Sequence, residues 1–217
     1  MMRILIEVPT YDGSISRATS ESLWRLDLCG HDVDYRPRPG YGCDMARNRI
    51  AADAICAGYD RVLMVDNDIA FKPEYMGYLL EHDADVAMGY YVNRHPRGNE
   101  QLVCAYKPGW GWEMYDTGEL RELREGGATA IDVKGGGMGF CLFKTSVFER
   151  VPFPWYKWTD ISFTRRSVPD VYSCRDEFHS GGEDIEFCNK LRGAGIGMLL
   201  DVRAACGHEV RKVVWAD

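Results

Sequence analysis

The sequence has no apolar run approaching the roughly 18 residues needed to cross a bilayer. Its start, Met1-Met2-Arg3-Ile4-Leu5-Ile6-Glu7, offers only three apolar residues before a glutamate. Neither a membrane span nor a secretory leader is expected, and the chain is read as cytoplasmic. None of the eight cysteines stands in a Cys-x-x-Cys pair, and Cys56 and Cys188 lie in apolar periodic segments. Buried free thiols in a reducing compartment are therefore expected in place of a disulfide framework. Basic residues are also in short supply. With 26 Lys and Arg against 33 Asp and Glu the formal charge is −7, which counts against nonspecific nucleic-acid binding, where clustered cations must displace counterions. Acidic clusters can instead hold a metal. The Gly135 to Gly139 run fits neither GxGxxG nor GxxxxGK[ST], and no GxSxG occurs, so a dinucleotide fingerprint and an NTPase loop are both unsupported. Repeats, linkers and low-complexity tracts are missing as well. What remains is 217 residues, 46% hydrophobic and 27% charged, a size and composition that fit one globular domain with a real core.

The order of elements predicts an α/β fold. Residues 3 to 8 form a β-rich run closed by Pro9, residues 16 to 29 carry Ala18, Leu23, Leu26 and Cys29 near helical spacing with Gly30 as a stop, and residues 32 to 36 suit a second strand. Asp44 is placed to cap a helix that buries Ala46, Ile50, Ala51 and Ala54 and ends at Gly58. Residues 61 to 65, Arg-Val-Leu-Met-Val, read as a strand buried on both faces that runs into Asp66-Asn67-Asp68. A helix opened by Pro73 and a strand over 85 to 91 follow. This β-α-β-α-β-α-β order implies a mostly parallel sheet with helices on both faces. Residues 92 to 133 break into short strand-like pieces at 101 to 106, 111 to 115 and 129 to 133, a small antiparallel insertion. A strand over 140 to 143, a short helix capped by Thr145, a helix over 183 to 192 and a strand over 196 to 200 complete the reading. The stretch from 151 to 182 is irregular and aromatic, with Trp155, Tyr156, Trp158, Phe163, Tyr172 and Phe178. It suits either a lid over a site or a satellite core beneath a loop.

The strongest chemical signal is Asp66-x-Asp68 at the end of the buried strand. In extended chain, residues i and i+2 project to one side, so both carboxylates are expected together at the carboxyl edge of the sheet, where open α/β sheets bind ligands. Adjacent carboxylates repel unless a cation neutralises them, which points to a divalent metal. A strand-end turn in which Asp caps backbone N–H groups fits the same pattern. Gly182-Glu183-Asp184 opens a helix. It fits either dipole compensation or a general base held at a helix start. His208, between Gly207 and Glu209, is either an ordinary histidine or a ligand.

Taken in order, Val-Pro-Thr-Tyr (8 to 11), Ala-Arg-Asn (46 to 48), Val-Asp-Asn-Asp (65 to 68), Gly-Gly-Gly-Met-Gly-Phe (135 to 140), Gly-Glu-Asp-Ile (182 to 185) and Cys-Gly-His (206 to 208) span about the whole chain. This series resembles the GT-A glycosyltransferases, in particular small family-2-like members with a DxD motif. The resemblance implies a single Rossmann-like GT-A domain over residues 1 to 217, with a nucleotide-binding part at about 1 to 92 and an acceptor-side part at about 93 to 217. It implies a metal-dependent transfer of sugar from a UDP- or GDP-type nucleotide-diphosphate sugar to an acceptor hydroxyl. By the same resemblance Pro9, Thr10 and Tyr11 line the base pocket, Arg47 approaches the nucleotide or its phosphates, and Asp66 and Asn67 lie on the donor side. Asp68 binds the metal and His208 completes its site. Asp184 is the candidate base and Glu183 orients an acceptor or sugar hydroxyl. Gly136 and Gly137 let backbone approach the sugars. A mixed carboxylate and imidazole site favours Mn²⁺ over Mg²⁺. Two departures stand out: Val33-Asp34-Tyr35-Arg36-Pro37 matches the family's base-holding acidic cluster poorly, and the processive polymerases' Gln-x-x-Arg-Trp signature is missing. The alternatives are a related nucleotidyltransferase or pyrophosphatase, or a nucleotide-sugar-binding module without turnover.

Overall fold

Residues 1–93, 101–109, 113–158 and 182–209 are described by a computed structural model. The apolar run of β1 (Arg3–Pro9) has neighbours on both sides and packs Ile4 and Ile6 on one face and Leu5 on the other. Helix α1 (Arg17–Arg25) is capped by Ser16, whose Oγ accepts the Thr19 N–H at 3.1 Å. It stops at Leu26, four residues short of the expected Gly30, because the next N–H, on Asp27, is taken by the Pro73 carbonyl at 3.0 Å. After β2 (Asp32–Arg38), α2 (Cys43–Ala57) starts at Gly42, so Asp44 sits inside the first turn and makes no cap. Its end is as expected: Gly58 takes a left-handed conformation, φ 67°, which suits a residue without Cβ. The next strand, β3 (Arg61–Val65), is buried throughout. A two-residue β4 (Ile69–Ala70), helix α3 (Tyr75–Glu81) and strand β5 (Val86–Tyr90) follow, with Pro73 just ahead of α3.

The insertion is more helical than its sequence led us to expect. β6 (Leu102–Tyr106) pairs antiparallel with β7 (Met114–Asp116), but α4 (Thr117–Glu125) follows at once. A capping box starts it: Asp116 Oδ1 accepts the Glu119 N–H at 2.9 Å and Glu119 Oε2 accepts the Asp116 N–H at 3.0 Å. β8 (Ala130–Val133), expected in the insertion, lies instead at the edge of the main sheet, and β9 (Gly135–Gly136) completes the small one. β10 (Phe140–Lys144) leads to the single turn of α5 (Val147–Arg150), where Thr145 supplies no cap and its buried Oγ1 has no hydrogen-bond partner. Helix α6 (Glu183–Gly193), a long β11 (Met198–Ala205) and β12 (Gly207–His208), which pairs with β4, finish the described chain.

The seven-stranded sheet runs β2-β1-β3-β10-β5-β11-β8. β1, β2, β3, β5 and β11 share one direction, and β10 and β8 oppose it. On one face Ile50, Ala54, Phe148 and Phe187 from α2, α5 and α6 meet Leu5, Met64 and Phe143. On the other, Tyr75, Met76 and Leu79 of α3 meet Ile4, Ile6, Leu63 and Phe140. Among the described residues no helix is long and apolar enough to cross a membrane. The seven described cysteines are free thiols; Cys141, Cys188 and Cys206 are buried as expected, but Cys29 and Cys56 are exposed. Cys56 falls on the outer side of the last turn of α2, which the apolar neighbours Ala54 and Ile55 concealed.

The capping box gives a direct check. Asp116→Ala removes an acceptor for one of the first-turn N–H groups and should cost about 1 kcal/mol of unfolding free energy, read as a lower urea midpoint at unchanged slope. No shift in midpoint would mean that α4 does not depend on its cap.

Candidate active site

The carboxyl ends of β1 and β3, the first turns of α2 and α6, and the start of β10 meet at one edge of the sheet. Arg47, one turn into α2, is 2% exposed and reaches both neighbouring elements. Its Nη1 donates to Glu183 Oε1 at 2.5 Å and its Nη2 to Asp66 Oδ1 at 2.7 Å. The guanidinium carbon lies 5.8 Å from the centre of the Tyr156 ring, and Nε is buried without a partner. Burial works against this charge, yet Asp66, Glu183 and Asp184 outweigh it and hold the Arg47 pKa above its ordinary value. The next residue, Asn48, ties the aromatic stretch to the same helix. Its Nδ2 donates to the Tyr156 carbonyl at 2.7 Å and its Oδ1 accepts the Tyr156 N–H at 3.1 Å.

The Asp66-Asn67-Asp68 segment is a turn, not extended chain: the Ile69 N–H bonds back to the Asp66 carbonyl at 3.2 Å. The expected same-side projection therefore gives way to two separate attachments. Asp66 pairs with Arg47, while Asp68 Oδ1 lies 3.7 Å from His208 Nε2. The β4–β12 ladder sets His208 opposite Ile69, and the Glu209 N–H bonds to the Asp68 carbonyl at 2.9 Å. His208 Nδ1 lies 2.8 Å from the Val92 carbonyl. A carbonyl can only accept, so Nδ1 carries the proton, and Nε2 is the nitrogen that faces Asp68 and would serve as a ligand, the side that metal-binding histidines use when Nδ1 is held in this way. This donor pair fits one shared cation. Among the described residues no three His, Cys, Asp or Glu side chains form a metal-sized cluster.

Pro9, Thr10 and Tyr11 line a cleft of about 280 Å³ together with Asp66, Asn67 and Asp68. Tyr11 is 81% exposed, whereas Thr10 is buried and its Oγ1 has no partner. Asn67 Nδ2 donates to the Ser14 carbonyl at 3.0 Å, which fixes the turn against the first loop. Tyr41 and Cys43 also line this cleft. Neither was legible from residue order, because a loop residue between glycines and a helix-start cysteine carry no pattern. A wider cleft beside Tyr59, Arg61 and Lys144 lies at the opposite end of β3, away from these carboxylates.

Asp184 is half-buried, and its Oδ1 accepts the Ile185 N–H at 2.8 Å. Burial pushes its carboxyl above the ordinary aspartate range; Glu183 and Asp66 add to the rise and Arg47 opposes it. Gly136 and Gly137 leave no room for a side chain. A Cβ on Gly136 would fall 2.8 Å from both the Cys104 carbonyl oxygen and Met88 Sδ, and one on Gly137 would fall 2.1 Å from the Tyr91 hydroxyl. The space a side chain would need at these two positions is filled by the protein itself. Tyr91 is a third residue that sequence reasoning missed. Its hydroxyl accepts the Gly139 N–H at 3.1 Å and its ring meets that of His208 edge-on at 5.2 Å. Of the aromatic stretch, Trp155 and Tyr156 are buried core and Trp158 is exposed, while Phe163, Tyr172 and Phe178 lie outside the described residues.

No protein-family model matches the sequence, and no curated protein does. Solved structures do match in shape. The chain is similar to A197 from STIV at 17% identity and a TM-score of 0.59, over 97% of this chain and 87% of that one. It is similar to GalNAc-T7 with UDP, GalNAc and Mn²⁺ at 12% identity and 0.56, over 97% of this chain and 44% of that one. It also matches S. aureus TarS 1–349 in complex with UDP-GlcNAc at 14% identity and 0.52, over 98% and 60%. The chain has the GT-A fold. It spans about half the length of the GalNAc-T7 and TarS chains that share this fold. Within the GT-A domain, Arg47 joins the helix after β2, the turn after β3 and the start of α6 into one unit.

Removing one partner from a buried ion pair strands the other charge. Arg47→Met should therefore cost about 3–5 kcal/mol of stability, measured by urea unfolding. A cost under about 1 kcal/mol, the range of exposed pairs, would show that the two carboxylates find water instead.

Proposed function

We propose that the protein is a metal-dependent glycosyltransferase that moves a sugar from a nucleotide-diphosphate sugar to an acceptor hydroxyl. The observation that carries this reading is the convergence of Asp66, Asp68, His208, Glu183 and Asp184 on one edge of a GT-A sheet, around the buried Arg47. The crystal forms of GalNAc-T7 with UDP, GalNAc and Mn²⁺ and of TarS with UDP-GlcNAc support the donor class.

The donor side is assigned to about residues 1 to 92. Tyr11 offers an exposed ring for a base to stack on, and the unpartnered Thr10 hydroxyl can bond a polar edge of the base or ribose. Asp66, with Oδ1 held by Arg47, would accept a hydroxyl of the ribose or the sugar, and Asn67 shapes the turn beside it. Arg47 is assigned a positioning role, since its guanidinium is occupied by Asp66 and Glu183. Asp68 and His208 would hold the cation, and their mixed oxygen and nitrogen donors suit Mn²⁺ better than Mg²⁺. A divalent ion held there supplies positive charge where the leaving diphosphate gathers negative charge.

The acceptor side is assigned to about residues 93 to 217. Asp184 would take the proton of the attacking hydroxyl. Its raised pKa makes it a stronger base than a surface aspartate. Glu183, fixed by Arg47, would orient a hydroxyl of the acceptor or the sugar beside it.

The roles separate experimentally. Asp184→Asn should spare donor binding and lower kcat by about 10²–10⁴-fold, the usual contribution of a general base. In the unsubstituted protein, kcat/KM should fall as pH drops through the raised Asp184 pKa, an acid limb at higher pH than an exposed aspartate gives, and the substitution should abolish that limb. Loss of donor affinity equal to the loss of turnover would overturn the assignment of Asp184 as base.

A further inference from the structure

The outer edge of the main sheet carries a pattern that none of the chemistry above uses. Among the described residues β2 has a neighbouring strand on the β1 side only. Its sequence, Asp32-Val33-Asp34-Tyr35-Arg36-Pro37-Arg38, changes sign at its midpoint. The Asp32 N–H bonds inward to Met2 and the Arg38 carbonyl inward to Thr10, so the backbone groups of the alternate residues Val33, Tyr35 and Pro37 face outward. The four charged side chains lie on the face of α2, where Asp34 and Arg36 touch the Tyr59 hydroxyl and Arg38 meets Glu7 and Asp53. These contacts leave the Asp32, Asp34 and Arg36 side chains 64%, 50% and 47% exposed.

The opposite face of the same edge is apolar. Val33 and Tyr35 there line a groove of about 370 Å³ with Ile6 of β1 and Leu23 and Trp24 of α1. Trp24 is 91% exposed, and Leu28 and Tyr35 beside it are also exposed.

We propose that this edge is a two-fold interface at which β2 pairs antiparallel with β2 of a second copy, centred on Tyr35. In that register Asp32 stands opposite the second copy's Arg38 and Asp34 opposite its Arg36, and the symmetry repeats both pairs. Tyr35 exchanges backbone bonds with its own counterpart, and Pro37, which lacks an N–H, still offers its carbonyl to Val33 of the second copy. On the other face the two α1 helices flank the axis and cover Trp24, Leu28 and the groove. An exposed edge strand is a template for pairing with another chain, and like charges set directly opposite one another disfavour a pairing while opposite charges favour it. Here the charge order attracts an antiparallel copy and repels a parallel one. The occupant that fits both faces is therefore a second copy of this chain.

Sedimentation equilibrium or light scattering on the full chain tests this, independently of any catalytic reading. The unsubstituted protein should have twice the mass of one chain at micromolar concentration. Asp34→Arg makes the edge positive and Arg36→Asp makes it negative, and each alone should halve the mass while the far-ultraviolet circular dichroism is unchanged. An equimolar mixture of the two variants should regain the doubled mass, because opposite edges then meet between chains. A monomeric unsubstituted protein, single variants that stay dimeric, or a mixture that stays monomeric would each overturn the proposal.

Discussion

The guanidinium of Arg47 is the charge around which the candidate site's edge of the sheet is assembled. A fully buried cation is costly unless carboxylates surround it, and here they come from two elements remote in sequence, Asp66 after β3 and Glu183 at the start of α6. Each carboxylate is in turn held inward by that cation. The arrangement fixes where α6 begins relative to the β3 turn, and so places Asp184, the residue after Glu183, at the same edge. It also biases electrostatics there: Arg47 opposes the rise in the Asp184 pKa that burial produces. Asn48, next along α2, adds backbone bonds to Tyr156, so one helical turn anchors three separate segments.

A second constraint comes from the reversed strand. Because β10 runs against β3 and β5 between them, its entry, the glycine run, passes beside the Asp66 turn, and the Asp66 N–H bonds to the Gly139 carbonyl at 2.9 Å. The absence of side chains on Gly136, Gly137 and Gly139 lets Tyr91, Met88 and Cys104 close against this backbone. Tyr91 then borders His208, whose Nδ1 is held by the adjoining Val92 carbonyl. The pair of Asp68 and His208 is thus buttressed by the two residues that follow β5.

Much of this was legible from residue order. The apolar runs of β1, β3, β5 and β10 and the periodic helix after Gly42 appear where their patterns put them, since burial on both faces leaves an unmistakable mark. The acidic and histidine segments, each open to an ordinary reading alone, stand in an order that resembles the GT-A series, and the structure brings them to one sheet edge. Side-chain pairing was not legible. Arg47 looked like a phosphate contact, and only tertiary structure reveals that Asp66 and Glu183 already occupy it. The same-side argument for Asp66 and Asp68 failed because the chain leaves extended geometry at Val65. Helix α4 was overlooked although Asp116-x-x-Glu119 spells out its capping box, since glycines on both flanks made the segment look like turns. Tyr91 carried no signal at all, as a tyrosine ending a buried strand looks like core.

The claim on which the rest stands is that Asp68 and His208 bind a divalent cation shared with a nucleotide diphosphate. Calorimetric titration of UDP and of GDP into the full chain, with and without Mn²⁺, tests it most directly, with Asp68→Ala as the paired variant. The account predicts binding of at least one of the two nucleotides that requires Mn²⁺ and disappears in the variant. Binding that is equally strong without the metal, or that survives unchanged in Asp68→Ala, would contradict it.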